Sequence, residues 1–176
     1  YTAYKYIKTD ELAGYHLDEA SLTALEIETD QGNRSNYKMV ANSATIYVDG
    51  CSRGNPGPAG IGYYIVGPNG EVLACGGEFI GFATSRVAEY YALKAGCEKA
   101  LELGLKSVRF VGDNLMMMNQ MNGVYKVKNR DILTIYNDVR ELVGKFEACA
   151  FVHVAREQNT KADEQANLAV DRHFEN

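Results

Sequence analysis

The chain has 176 residues, 46% of them hydrophobic and 23% charged, which suits one folded soluble domain and excludes a disordered tail. Eighteen Lys and Arg against 23 Asp and Glu leave a net charge of −5. Bulk electrostatics therefore cannot hold a polyanion, and any nucleic-acid binding must work through local donors or bound cations. No apolar run approaches the roughly 18 residues of a membrane span, and no basic-then-apolar leader opens the chain.

In chain order, residues 1–43 hold short apolar clusters (Tyr4, Tyr6, Ile7; Leu22, Leu25, Ile27) broken by acids and by the polar run at 32–36. Thr9 is placed to cap a short helix through Leu12, and Asp18 another through Ala24. No period is sustained, so 1–43 reads as an accessory segment or linker and 44–176 as the folded domain. From Ala44 a β-rich run reaches Val48 and ends at Asp49-Gly50, followed by the turn-heavy stretch 54–60. Strands at 61–66 and 71–80, joined by Pro68-Asn69-Gly70, complete an antiparallel three-strand meander. Val87, Tyr90, Leu93, Cys97, Ala100 and Leu101 then recur at helical steps, and Gly104 closes a helix over 85–103.

A strand at 108–111 ends at Gly112-Asp113, and helical runs follow at 114–121 and 130–144. A strand at 146–154 is apolar on both faces, as a buried parallel strand is, and a last helix spans 159–173. The expected fold is α/β: a mixed five-stranded sheet, an antiparallel meander plus parallel strands, flanked by helices in right-handed crossovers. Met116, Met117, Met118 and Met121 read as core packing of a short helix. The isolated cysteines Cys51, Cys75, Cys97 and Cys149, without C-x-x-C spacing, read as small hydrophobes in a reducing, cytoplasmic setting.

Chemistry in such sheets gathers beyond the carboxyl ends of strands and at adjoining helix starts. Four carboxylates occupy such places: Asp49, Glu89, Asp113 and Asp163. Each has a structural alternative. Asp49-Gly50 is a common turn, Glu89 favours the positive end of a helix dipole, Asp113 is placed to cap the next helix, and Asp163 sits in a capping-box position after Thr160. Together they point to a metal site, because convergent acids repel until divalent cations arrive, and Mg²⁺ and Mn²⁺ prefer hard oxygen ligands. Paired ions held by carboxylates suit attack of water on a phosphodiester.

The stretches Asp49-Gly-Cys-Ser-Arg-Gly-Asn-Pro-Gly-Pro-Ala-Gly60, Ala88-Glu-Tyr-Tyr-Ala-Leu93, Gly112-Asp-Asn114 and Arg156-Glu-Gln-Asn-Thr-Lys-Ala-Asp-Glu-Gln-Ala-Asn167 together resemble type 1 ribonuclease H. The segment 119–129 is similar to the compact prokaryotic branch, which lacks a basic protrusion. The resemblance covers about 44–171. It implies a ribonuclease H-like fold, an endonuclease cutting the RNA strand of RNA–DNA hybrids to 5′-phosphate and 3′-hydroxyl ends, and Mg²⁺ as cofactor, with Mn²⁺ as a substitute and two ions when substrate is bound. It implies Asp49, Glu89, Asp113 and Asp163 as catalytic metal ligands. Substrate contacts are expected from Gly50, Cys51, Ser52, Gly54 and Asn55, from Thr84, Ser85 and Arg86, and from Lys126, Lys128 and Arg156.

Two departures from the family pattern stand out. Thr84-Ser85-Arg86 replaces Thr-Asn-Asn, and Leu115 replaces a glutamine, so three amides that contact the hybrid are missing. The catalytic-loop histidine of some relatives has no match, and His153 reads as a strand residue. Two other classes stay open: a non-catalytic nucleic-acid-binding module of the same fold, and the ribonuclease portion of a longer polymerase-associated protein, which a start at Tyr1 rather than Met permits.

Overall fold

The fold is taken from a computed structural model in which residues 6–7 and 42–175 are described. Tyr6–Ile7 forms a two-residue strand, β1. Ser43–Ser52 is β2, Gly57–Val66 is β3 and Val72–Ala83 is β4. Ser85–Glu102 is helix α1, Ser107–Gly112 strand β5, Leu115–Met121 helix α2 and Arg130–Val143 helix α3. Ala148–His153 is β6, and after a 3-10 turn at Arg156–Gln158 the helix α4 runs over Thr160–Glu175. The short helices expected after Thr9 and after Asp18 lie outside the described residues.

The mixed five-strand sheet is present, with β1 added at its edge, in the order β1-β6-β5-β2-β3-β4. β2, β3 and β4 are the antiparallel meander, while β5 pairs parallel with β2, and β6 parallel with β5. β1 pairs parallel with β6, Tyr6 opposite Cys149. The strands of the meander are longer than the sequence pattern suggests. Residues 57–60, expected as turn, are the first part of β3, and Gly60 there answers to packing rather than to bending. A Cβ on Gly60 would lie 2.6 Å from the Ala166 carbonyl oxygen, and one on Gly62 2.2 Å from that of Ala162. α4 thus rests directly on the backbone of β3, a role for strand glycine.

α1 and α3 pack together on the opposite face, with Ile46, Val48, Leu93, Phe110, Val139 and Phe151 in the main core. α1 buries more than the single stripe expected, including Ala88, Ala92 and Gly96, because it is sandwiched between the sheet and α3. Met117, Met118 and Met121 are buried as expected, and Met116 is half exposed. Such layering puts the ends of β2 and β5 beside the starts of α1 and α4, which is where the carboxylates sit.

Candidate active site

β2 carries Asp49 three residues before its end, and the next residue decides where that carboxylate goes. A Cβ on Gly50 would fall 2.3 Å from the Ala88 carbonyl carbon and 2.5 Å from the Glu89 nitrogen. Only glycine lets β2 touch the backbone of α1, and that contact brings Asp49 against Glu89. The Gly50 N–H in turn donates to the Glu89 carboxylate. α1 begins after Thr84, whose hydroxyl oxygen caps it by accepting the Val87 N–H at 3.2 Å.

Asp113 follows β5, and it does not cap α2. Asn114 does, accepting the Met117 N–H at 2.9 Å, which leaves the Asp113 carboxylate for the site. One carboxylate oxygen each from Asp49, Glu89 and Asp113 lies within 4.8 Å of the others, the three-acid group found among the described residues. Asp163 enters the same cleft from α4, within hydrogen-bonding reach of Asp49. Its carboxylate accepts the Asn167 amide at 3.2 Å, and Arg53 ties Asn167 to the glycine-rich loop by donating to its main-chain carbonyl at 3.3 Å.

The electrostatics are those of acids forced together. Burial first, then the charge of Glu89 and hydrogen bonds to Glu89 and Asp163, push the Asp49 carboxyl far above the usual range. Burial also raises Glu89, against the stabilising hydrogen bonds from Asp49 and Gly50. Asp49 and Glu89 are only 5% and 7% exposed, and Glu89 Oε2 is buried with no hydrogen-bond partner. Among the described residues, the cation paired with the cluster is the Arg156 guanidinium, 3.5 Å from Asp113 and largely in solvent, which makes it a weak partner. Hard oxygens at this spacing, one of them buried and unpaired, fit a divalent cation of the Mg²⁺ or Mn²⁺ kind.

The cleft holds about 630 Å³. Of the other expected contact residues, Gly50, Cys51, Ser52, Ser85 and Arg156 line it, along with Asn114 and Leu115. Ser52 uses its hydroxyl within the fold, donating to the Ala83 carbonyl at 2.7 Å. Asn55, Thr84, Ser85 and Arg86 line an adjoining cleft of about 230 Å³, where Asn55 Oδ1 accepts the Ser85 N–H at 3.1 Å. Gly54, between them, takes φ +115° and needs to be glycine. Lys126 and Lys128 are exposed around inward-facing Val127 on the segment between α2 and α3, apart from both clefts. His153 ends β6 and lines neither cleft.

Sequence reasoning missed Arg53, Asn159 and Asn167. Asn167 follows Asp163 by one helical turn, a spacing that was visible. Asn159 donates its amide to the Val48 carbonyl at 2.9 Å across 111 residues, which no local pattern signals.

Comparison with known proteins agrees with this geometry. A family model described as reverse transcriptase-like matches residues 47–169. The ribonuclease HI of Halobacterium salinarum is 39% identical over 125 residues, 71% of this chain and 63% of that one. The crystal structure of RNase H1 from that archaeon has a TM-score of 0.72 at 38% identity, covering 74% of this chain and 98% of the other. LC11-RNase H1, solved in complex with an RNA/DNA hybrid, gives 0.71 at 36% identity and covers 74% and 99%. A bifunctional protein of Mycobacterium tuberculosis is 41% identical over 127 residues, 72% of this chain but 35% of its own length. The chain therefore spans less than two thirds of these curated relatives.

Proposed function

This chain belongs to the type 1 ribonuclease H family, and on that premise we propose that it hydrolyses the RNA strand of RNA–DNA hybrids, leaving 5′-phosphate and 3′-hydroxyl ends. The observation that carries the reading is the Asp49, Glu89 and Asp113 group, gathered within 4.8 Å around a buried, unpartnered Glu89 oxygen. In this reading those three acids and Asp163 hold two Mg²⁺ ions, for which Mn²⁺ substitutes. When bound, the ions supply a water of lowered pKa and a counter-charge for the leaving oxygen.

The protein's own groups do the rest. Asp49 and Glu89, buried and acceptor-only when ionised, hold their oxygens fixed toward the cleft. Backbone groups at Gly50 to Asn55 approach the sugar edge, where a 2′-hydroxyl separates RNA from DNA. Arg86 has no hydrogen bond or ion pair among the described residues and reaches for phosphate in place of the missing amide. Arg156 stands at the cleft rim with its guanidinium largely free for the phosphate beside the cut. Lys126 and Lys128 contribute backbone contacts farther along the duplex.

The family-model match over 47–169 supports reading 44–176 as the catalytic unit and 1–43 as an accessory segment. The bifunctional relative, of which this chain spans 35%, supports a place for such a unit within longer proteins as well. Four free cysteines suit a reducing, cytoplasmic setting. Incubation with end-labelled hybrid, double-stranded DNA, double-stranded RNA and single-stranded RNA, with Mg²⁺, Mn²⁺ or chelator, tests the activity. Metal-dependent cutting of the hybrid's RNA strand alone, lost in Asp113→Asn, is the expected result. No cutting by folded protein in either metal moves the weight to a non-catalytic binding module.

A further inference from the structure

The parallel ladder between β2 and β5 runs from Ser43 opposite Ser107 to Tyr47 opposite Val111 and then stops, since β5 ends at Gly112 while β2 continues to Ser52. Backbone groups two residues apart on a strand face the same side, so the Val48 carbonyl and the Gly50 N–H share one edge of β2. Side chains serve both. Asn159 Nδ2 donates to the Val48 carbonyl at 2.9 Å, and the Gly50 N–H donates to Glu89. The residue between them is Asp49.

Asn159 is 1% exposed, and its main-chain carbonyl accepts the Asp163 N–H at 3.2 Å. One residue therefore joins the peptide beside Asp49 to the first turn that carries Asp163. Helix capping does not explain it, because a capping asparagine accepts through its side-chain oxygen and Asn159 Oδ1 is buried without a partner. The bond that its side chain does make is the one to Val48.

We propose that Asn159 is a positioning residue: its amide fixes Asp49 relative to Asp163, and so sets the separation on which divalent-ion binding at the cleft depends. The proposal rests on the carboxylate reading of the site given above. Calorimetric titration of the full chain with Mn²⁺ tests it without any cleavage step. Asn159→Ala is expected to weaken Mn²⁺ binding by about 10–100-fold, the range for groups that orient ligands. The Mg²⁺ concentration for half-maximal hybrid cleavage rises in step, while KM for the hybrid stays as in the wild type. Asn159→Leu, which keeps the branching at Cγ and removes the donor, gives the same shift. Val143→Ala, buried in α3 away from the cleft, lowers Tm without moving the Mn²⁺ midpoint.

Wild-type Mn²⁺ affinity in either folded Asn159 variant overturns the proposal. So does an equal shift in Val143→Ala, or failure of both Asn159 variants to fold, since each marks a purely structural residue. Wild-type protein that binds Mn²⁺ yet cuts no hybrid defeats the proposed function instead, and the Asn159 titration still decides this point.

Discussion

Asp49 and Glu89 meet through the main chain: at Gly50 no side-chain atom separates β2 from α1, and its N–H ends on the Glu89 carboxylate. Asp163, on the α4 wall, is held by side chains. Asn167 grips its carboxylate, Arg53 grips Asn167 and also pairs with Asp171 at 2.5 Å, and Asn159 ties the helix start to β2. The first wall, with Asp49 and Glu89, is buried, while Asp163 on the second is half-buried. Backbone contact fixes a position absolutely but admits one residue type; side-chain tethers tolerate adjustment, which suits a wall that meets substrate.

Removing a charge from the buried wall breaks the site most severely. Asp49→Asn is expected to lower hydrolysis by on the order of 10³-fold, several kcal/mol of lost charge stabilisation, with the hybrid still bound in a gel-shift assay. The same variant is expected to melt higher than the wild type in chelator, because it removes a repulsion that the wild type relieves only by holding a proton or a metal. Gly50→Ala attacks the contact itself. Its Cβ meets backbone on α1 rather than a movable side chain, so stability falls by about 1–3 kcal/mol, read by urea titration, and cleavage falls with it as Asp49 and Glu89 separate.

The tethered wall yields more gradually. Asn167→Ala is expected to reduce cleavage by about 10–100-fold with little change in urea midpoint, and Mg²⁺ above the wild-type optimum restores part of the rate. A large loss of stability instead would show that the second wall is as rigid as the first.

The walls also differ in how pH reaches them. The folded-state pKa values of Asp49 and Glu89 are raised, so in metal-free protein their protonated forms favour folding. That contribution is complete below the ordinary carboxylate range and is lost as pH rises, up to about 7 for Glu89 and on toward about 11 for Asp49. In chelator, the Tm advantage of Asp49→Asn over wild type is therefore expected to widen from about pH 4 upward and to go on widening past about pH 7, and saturating Mg²⁺ closes it. A constant gap would mean that the pair does not titrate there. The smallest effect belongs to the neighbouring cleft. Arg86→Ala is expected to weaken hybrid binding uniformly across sequences and to lower the salt slope of log K by about one, measured by fluorescence anisotropy.

The positions of Asp49, Glu89, Asp113 and Asp163 at element ends were legible because strand and helix periods are local, and a carboxylate where a period stops is visible without knowing its neighbours. The mixture of antiparallel and parallel strands followed from the meander and from the apolar run at 146–154. The length of β3 was not legible: Gly60 carries the same local signal whether it bends a turn or makes room for α4, and only the helix lying on it tells the two apart. Asp113 had an equal local claim to cap α2, and the backbone path after Gly112 gave that role to Asn114.

The sequence by itself determined the chemistry, since four acids at strand and helix ends survive any detail of packing. Tertiary structure alone decided that three of them close to within 4.8 Å while Asp163 joins the same cleft from α4. It alone set Asn159 beneath Val48, because contacts across more than a hundred residues are fixed by how whole layers seat, and no local pattern records them.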